Sequence, residues 1–259
     1  MDKPTETLFT RRHLLQVAGT AGLLAGVTRA AQAQHEGHDL STMPGTEKAP
    51  AAKPAPGLEP PSKQKRHAQG YMPVRTLNGW TLPYTMKGGV KEFHLVAEEI
   101  EHEFAPGSVA KCWGYNGTTP GPTIEVVEGD RVRLLVTNRL GEPTSVHWHG
   151  IDLPNGYDGV GGLNQPAIKP GETFAYEFTL KQHGTHMYHP HADEMTQMAF
   201  GMMGLFIIHP KAGEEVPIDR DYCFLLHNWA LHPGTYRPDP AVMQDFSLWT
   251  FNSKTFPAI

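Results

Sequence analysis

Only two cysteines, Cys112 and Cys223, occur in 259 residues. That excludes a disulfide-dense scaffold and any zinc or iron–sulfur site built from clustered thiolates. Each cysteine lies in a strand-like apolar stretch, Lys111-Cys112-Trp113 and Tyr222-Cys223-Phe224, so buried unpaired thiols are the expectation. A bond between them requires Cα atoms within about 7 Å of each other. A basic excess is missing too: 22 Lys/Arg face 27 Asp/Glu, which is not the charge of a nucleic-acid-binding protein. No long amphipathic stretch with helical period stands out, and no apolar run is long enough to span a bilayer, so no stable membrane anchor is expected.

The first 33 residues read as an address rather than as part of a fold. Thr10-Arg11-Arg12-His13-Leu14-Leu15 precedes a weakly apolar, Ala/Gly-rich stretch to Val27 and then Ala31-Gln32-Ala33, a small-x-small cleavage pattern. The paired arginines are those of a twin-arginine export signal, which places the mature protein in the periplasm and carries it there already folded. Removing residues 1–33 takes four of the 22 Lys/Arg and two of the 27 Asp/Glu, leaving 18 against 25, a net charge of −7. Residues 34–70 are rich in Pro, Ala, Lys, Glu and Gly, with Pro54, Pro56, Pro60 and Pro61 close together. Such a composition buries too little apolar surface to offset its ordering entropy, so a disordered linker is expected. His35, His38 and Met43 within it are read as scattered polar-tail residues, not as a specific metal site.

From Tyr71 the pattern changes to short strands between turn signals. Phe93, Leu95 and Ala97 alternate in one, Ile124 and Val126 in a second, Val132, Leu134 and Val136 in a third, and Phe174, Tyr176, Phe178 and Leu180 in a fourth. Asn116-Gly117, Pro120-Gly121-Pro122, Glu128-Gly129-Asp130, Asn155-Gly156 and Lys169-Pro170-Gly171-Glu172 punctuate them. This is an all-β pattern, a Greek-key β-sandwich or barrel over residues 71–210. After a polar break, residues 219–259 offer an apolar strand from Asp221 to Trp229, another from Trp249 to Asn252 and a turn at Asn252-Ser253-Lys254. A second, incomplete domain is expected to begin there.

Histidine is plentiful, at 15 residues, and four of them are patterned. His147-Trp148-His149-Gly150 and Tyr188-His189-Pro190-His191 each place two histidines one residue apart. In a strand, alternate side chains share a face, so each pair points both imidazoles one way while Trp148 or Pro190 faces the other. Neutral imidazole is a strong ligand for transition metals, with affinity rising toward copper in the divalent series, so a histidine-only set points to copper rather than calcium or magnesium. A lone buried histidine is more often a hydrogen-bonded core residue, but two pairs at strand spacing are hard to assign to chance.

An ordered series of motifs carries a family resemblance. Asn116-Gly117-Thr118-Thr119-Pro120-Gly121-Pro122, Glu128-Gly129-Asp130, Val136-Thr137-Asn138, the first His-x-His, Asp158-Gly159, Lys169-Pro170-Gly171-Glu172, Gly184-Thr185 and the second His-x-His follow one another as they do in the N-terminal part of the multicopper oxidases. The resemblance implies a cupredoxin-like fold over residues 71–210. Phe251-Asn252 and Phe256-Pro257 resemble an early strand of the next cupredoxin domain. It also implies that His147 ligates the type 2 copper, and His149, His189 and His191 the type 3 pair, of a trinuclear cluster that reduces O2 to water. Asp158 resembles the family's acid that orients copper-bound water and relays protons. Asp193 and Glu194 are either further relays or solvated loop acids. No bound organic cofactor is implied.

The departures are equally specific. Pro190 sits at the centre of the second element, where a type 1 copper domain carries cysteine, and no His-Cys-His or His-Pro-x-His-x-His element occurs. His227 and His232 do not replace them and are read as loop or surface residues. The resemblance therefore implies half a cluster, with type 1 copper confined to a missing second domain of a truncated two-domain member whose cluster forms between subunits of a homotrimer. O2 and a small reducing substrate, a phenol or a metal ion, are the implied partners. A non-catalytic periplasmic copper-sequestering module and a copper nitrite reductase relative are the competing readings. Met195, Met198, Met202 and Met203 invite a Cu(I)-handling role, but core packing explains the run at least as well.

Overall fold

A computed structural model describes residues 66–259. The expected export signal at 1–33 and all but the end of the expected linker at 34–70 lie outside the described residues. The described residues form thirteen strands: β1 (Val74–Thr76), β2 (Thr85–Lys87), β3 (Val90–Ala105), β4 (Ser108–Tyr115), β5 (Gly121–Val127), β6 (Arg131–Asn138), β7 (Val146–His149), β8 (Thr173–Thr179), β9 (Gly184–Pro190), β10 (Gly204–His209), β11 (Asp221–Cys223), β12 (Leu226–Trp229) and β13 (Leu248–Phe251). A short helix, α1 (Glu194–Ala199), follows β9, and a 3-10 turn covers Asn155–Tyr157. None of the described helices is long and apolar enough to cross a membrane.

Two sheets make the cupredoxin-like sandwich. One has the order β2-β3-β6-β8, with β4 paired to β3; the other has the order β5-β10-β9-β7. Period-two patterning decides which faces meet. Val132, Leu134 and Val136 of β6 are fully buried, and Tyr176 and Phe178 face inward from β8. The second sheet answers with Ile124, Val126, Trp148, Tyr188 and Phe206 in the same core. Full burial of each such side chain contributes about 1.5–3 kcal/mol.

β10 is buried at every position because it is covered on both faces. Phe206 and Ile208 enter the sandwich, whereas Leu205 and Ile207 pack with Val74, Met203 and Leu225 in a second cluster. That is why its sequence is a continuous apolar run without alternation. Close approach fixes the sheet further. A side chain on Gly204 would come within 2.2 Å of the Tyr188 ring, and one on Gly121 within 2.6 Å of its hydroxyl.

Residues from Asp221 onward do not run as one strand. β11 pairs in parallel with β1, while β12 pairs antiparallel with β13, Leu226 opposite Phe251 and Trp229 opposite Leu248. Leu225 turns inward between them, where the Asn252 side chain caps its N–H at 2.7 Å. The ribbon docks on the sandwich through Trp229, which packs edge-on against Phe104 at 4.8 Å in a cluster with Ala110 and Cys112. The expected turn at Asn252-Ser253-Lys254 is present, with Asn252 and Ser253 both at positive φ. Cys112 and Cys223 are free thiols in separate apolar clusters.

Candidate metal centre

β7 and β9 are antiparallel neighbours at the end of their sheet, and their register places His147 directly opposite His189 and Trp148 opposite Tyr188. Opposed residues share a face, so one register sends both aromatic side chains into the core and both histidines out of it. His149 follows on the same face, and His191 lies just beyond the end of β9. The rings of His149, His189 and His191 stand 5.3, 5.2 and 5.2 Å from that of His147. Nitrogen atoms of His147, His149 and His189 come within 4.8 Å of one another. The four sequence-derived histidines thus converge, with His149 the exposed one and His189 the buried one.

Hydrogen bonds assign the protons. His147 Nδ1 donates to the backbone carbonyl of Asp158 at 2.7 Å, and an Asp158 carboxylate oxygen lies 3.3 Å from the same nitrogen. His189 Nδ1 donates to the Pro190 carbonyl at 2.8 Å, with the Glu194 carboxylate 3.6 Å away. His149 Nδ1 stands 3.1 Å from His189 Nε2 and donates to it. Three rings therefore carry their hydrogen on Nδ1, which leaves the Nε2 lone pairs as ligand atoms. The bond from His149 occupies the His189 lone pair, so coordination there requires the His149 ring to turn. Burial pulls His189 below the ordinary imidazole range, against the opposing pull of the Pro190 carbonyl and Glu194. A neutral ring is the metal-binding form.

Asp158 reaches His147 because Gly159 lies flat on β7. Gly159 has φ +90°, and a Cβ there would sit 2.2 Å from the Val146 carbonyl oxygen. Ser145 Oγ donates to the Gly159 carbonyl and holds the contact. On the other side, buried Gln197 of α1 accepts from Thr144 Oγ1 at 2.6 Å and donates to the Pro143 carbonyl at 2.8 Å. One amide thus ties the helix after the second His-x-His to the segment before the first.

Several of these residues escape a reading of sequence. Asp158 was marked by its carboxylate, yet its carbonyl makes the shorter contact. Glu194 is not simply a solvated loop acid, since it faces His189. Gln197 and Ser145 carry no sequence signal. His227 corrects the expectation of a loop or surface residue: it lies in β12, its Nε2 is buried without a hydrogen-bond partner, and burial lowers its pKa to about 4. His232 is exposed and pairs with Asp239 at 3.2 Å.

Residues 97–213 match the sequence model of the multicopper oxidase family, a span that contains all four histidines and Asp158. Over these residues the chain is similar to the multicopper oxidases. Copper resistance protein A of Escherichia coli is 42% identical over 123 residues, 48% of this chain and 20% of that protein. L-ascorbate oxidase of Brassica rapa subsp. pekinensis is 37% identical over 155 residues, 57% of this chain and 26% of that protein. The crystal structure of the multi-copper oxidase from Pseudomonas thermotolerans superposes with a TM-score of 0.59 at 31% identity, covering 64% of this chain and 42% of that one. The chain therefore spans about a quarter or less of the curated relatives named here. Multicopper oxidases are copper oxidoreductases that use O2 and a reducing substrate. The donor set fits copper: nitrogen atoms of three imidazoles lie within 4.8 Å of one another, two of the rings, His147 and His189, hold their protons on Nδ1 against backbone carbonyls, and no hard oxygen ligand belongs to the group.

Proposed function

We propose that this chain is the cluster-bearing N-terminal part of an exported multicopper oxidase in which His147, His149, His189 and His191 provide half the ligands of a trinuclear copper centre reducing O2 to water. The convergence of three rings on His147, at 5.2 to 5.3 Å, carries this reading. His147 serves the type 2 ion, and the other three histidines serve the type 3 pair. Copper, when bound, supplies the one-electron redox steps whose sum is the four-electron reduction of O2. The remaining cluster ligands and the type 1 copper belong to a second cupredoxin domain, of which residues 219–259 are the opening, contributed in the assembly by a neighbouring subunit of a homotrimer. The electron donor is a phenol or a metal ion. Twin-arginine export through residues 1–33 delivers the folded protein to the periplasm.

The chain's own residues fix proton positions. The Asp158 carbonyl locks the His147 tautomer, while its partly exposed carboxylate, 3.3 Å away, is placed to pass protons between solvent and the cluster. Glu194 occupies the equivalent place beside His189. Burial of Trp148 and Tyr188 beneath the histidines keeps the strands in a single register. Calorimetric titration of the full chain with Cu(II) is expected to give saturable binding that weakens more than about tenfold in His149→Ala and in His189→Ala. No oxidation of a phenolic dye by the chain alone is expected. Unchanged affinity in both variants, or dye turnover by the chain, overturns the assignment.

A further inference from the structure

The methionines of the run from Met195 to Met203 separate into two kinds. Met202 and Met203 are core residues, 0% and 1% exposed. Met195 is 59% exposed on α1, and with Met198 it lines a cavity of about 240 Å³ whose opposite wall comes from β12 and the loop before β13. That wall contributes Met243, also 59% exposed, and His227. Three thioethers and one imidazole, from segments far apart in sequence, therefore surround one small and largely apolar space.

His227 supplies the second observation. Its buried Nε2 finds no hydrogen-bond partner among the described residues, and leaving such an atom unpaired is costly. Burial also holds the ring neutral at ordinary pH. The two carboxylates that line the cavity are engaged elsewhere: Asp239 accepts from the Ala241 N–H at 2.9 Å and pairs with His232, and Glu194 faces His189. Thioether and imidazole donors in apolar surroundings suit a soft, weakly hydrated monovalent cation and offer little to a hydrated divalent one.

We propose that Met195, Met198, Met243 and His227 form a binding site for a soft monovalent metal ion, Cu(I) by chemistry, separate from the histidine cluster. Glu194 lines this cavity and also stands 3.6 Å from His189, so the two sites share a wall. The site depends on none of the four cluster histidines, and its test can fail independently of theirs.

The test uses the full chain without oxygen, with Cu(I) in competition against a chromophoric chelator and Ag(I) as a redox-inert probe. In a background with His147, His149, His189 and His191 all changed to alanine, Cu(I) binding at this site is expected to persist. Adding Met195→Leu with Met198→Leu, a swap that conserves volume, or adding His227→Gln, is expected to weaken it more than about tenfold. In the unmodified chain, Ag(I) should shift the methyl NMR signals of Met195, Met198 and Met243 and leave those of Met202 and Met203 in place. That reading does not depend on any variant folding. Silver shifts confined to other methionines overturn the proposal, as does Cu(I) affinity that the methionine and His227 substitutions leave unchanged.

Discussion

The sandwich body and the terminal ribbon treat their apolar side chains in opposite ways. In the body, Trp148, Tyr176, Tyr188 and Phe206 are fully enclosed between two sheets. In the β12–β13 ribbon, Leu226, Trp249 and Phe251 are 68%, 64% and 48% exposed, while Trp229 and Leu225 point inward. Both regions alternate with period two, so patterning alone makes them look alike. What separates them is how many faces the protein covers: the body has partners on its inner faces, and the ribbon is anchored by one face alone. The stability of the ribbon should thus rest on a few inward residues.

The largest effect is expected where the ribbon meets the body. Trp229→Ala removes the ring that packs on Phe104 and should cost about 3–5 kcal/mol. Hydrogen exchange should then show residues 221–259 losing protection before the sandwich does; simultaneous loss throughout would erase the distinction between the regions. A smaller effect concerns acid. His227 has an ordinary pKa of 6.5 that burial lowers to about 4, so the unfolded chain takes up a proton in this window that the folded chain refuses. Stability from this group is complete above pH 6.5 and declines as pH falls toward 4, by about 3 kcal/mol. Urea midpoints measured across that range should fall less steeply in His227→Phe than in the unmodified chain, and equal slopes would refute a buried neutral imidazole. The smallest effect belongs to the outer face of the ribbon. Trp249→Ser should change stability by no more than about 0.5 kcal/mol, judged by thermal melting, and a large loss would mean that this face is covered.

How far the sequence revealed the molecule depended on the range of the interaction involved. The two His-x-His pairs were legible because strand alternation is a local rule, and their convergence needed only that β7 and β9 be neighbours. The turn at Lys169–Glu172 was legible for a similar reason: Glu172 N–H donates to the Lys169 carbonyl at 2.9 Å, a contact between near neighbours in sequence. Contacts made across the fold left no such trace. Sequence left Glu194 open between a relay and a solvated loop acid, and nothing near His227 marks its Nε2 as buried. Met195 and Met202 are the same residue type seven positions apart, yet one rims a cavity and the other fills the core. The resemblance to known proteins pointed to Asp158, but only three-dimensional structure could bring its carbonyl, rather than its carboxylate, into first contact with His147.

Gln197 has a consequence for how the metal centre is entered. Its amide joins the segment before His147 to the helix after His191, so the two histidine elements are held together by the fold itself. The conformational freedom that would oppose their meeting is lost when the protein folds, not when an ion arrives. A ligand set brought together in this way is preorganised: its affinity does not have to carry the entropy of assembling the site, and the main local adjustment left is the rotation of His149.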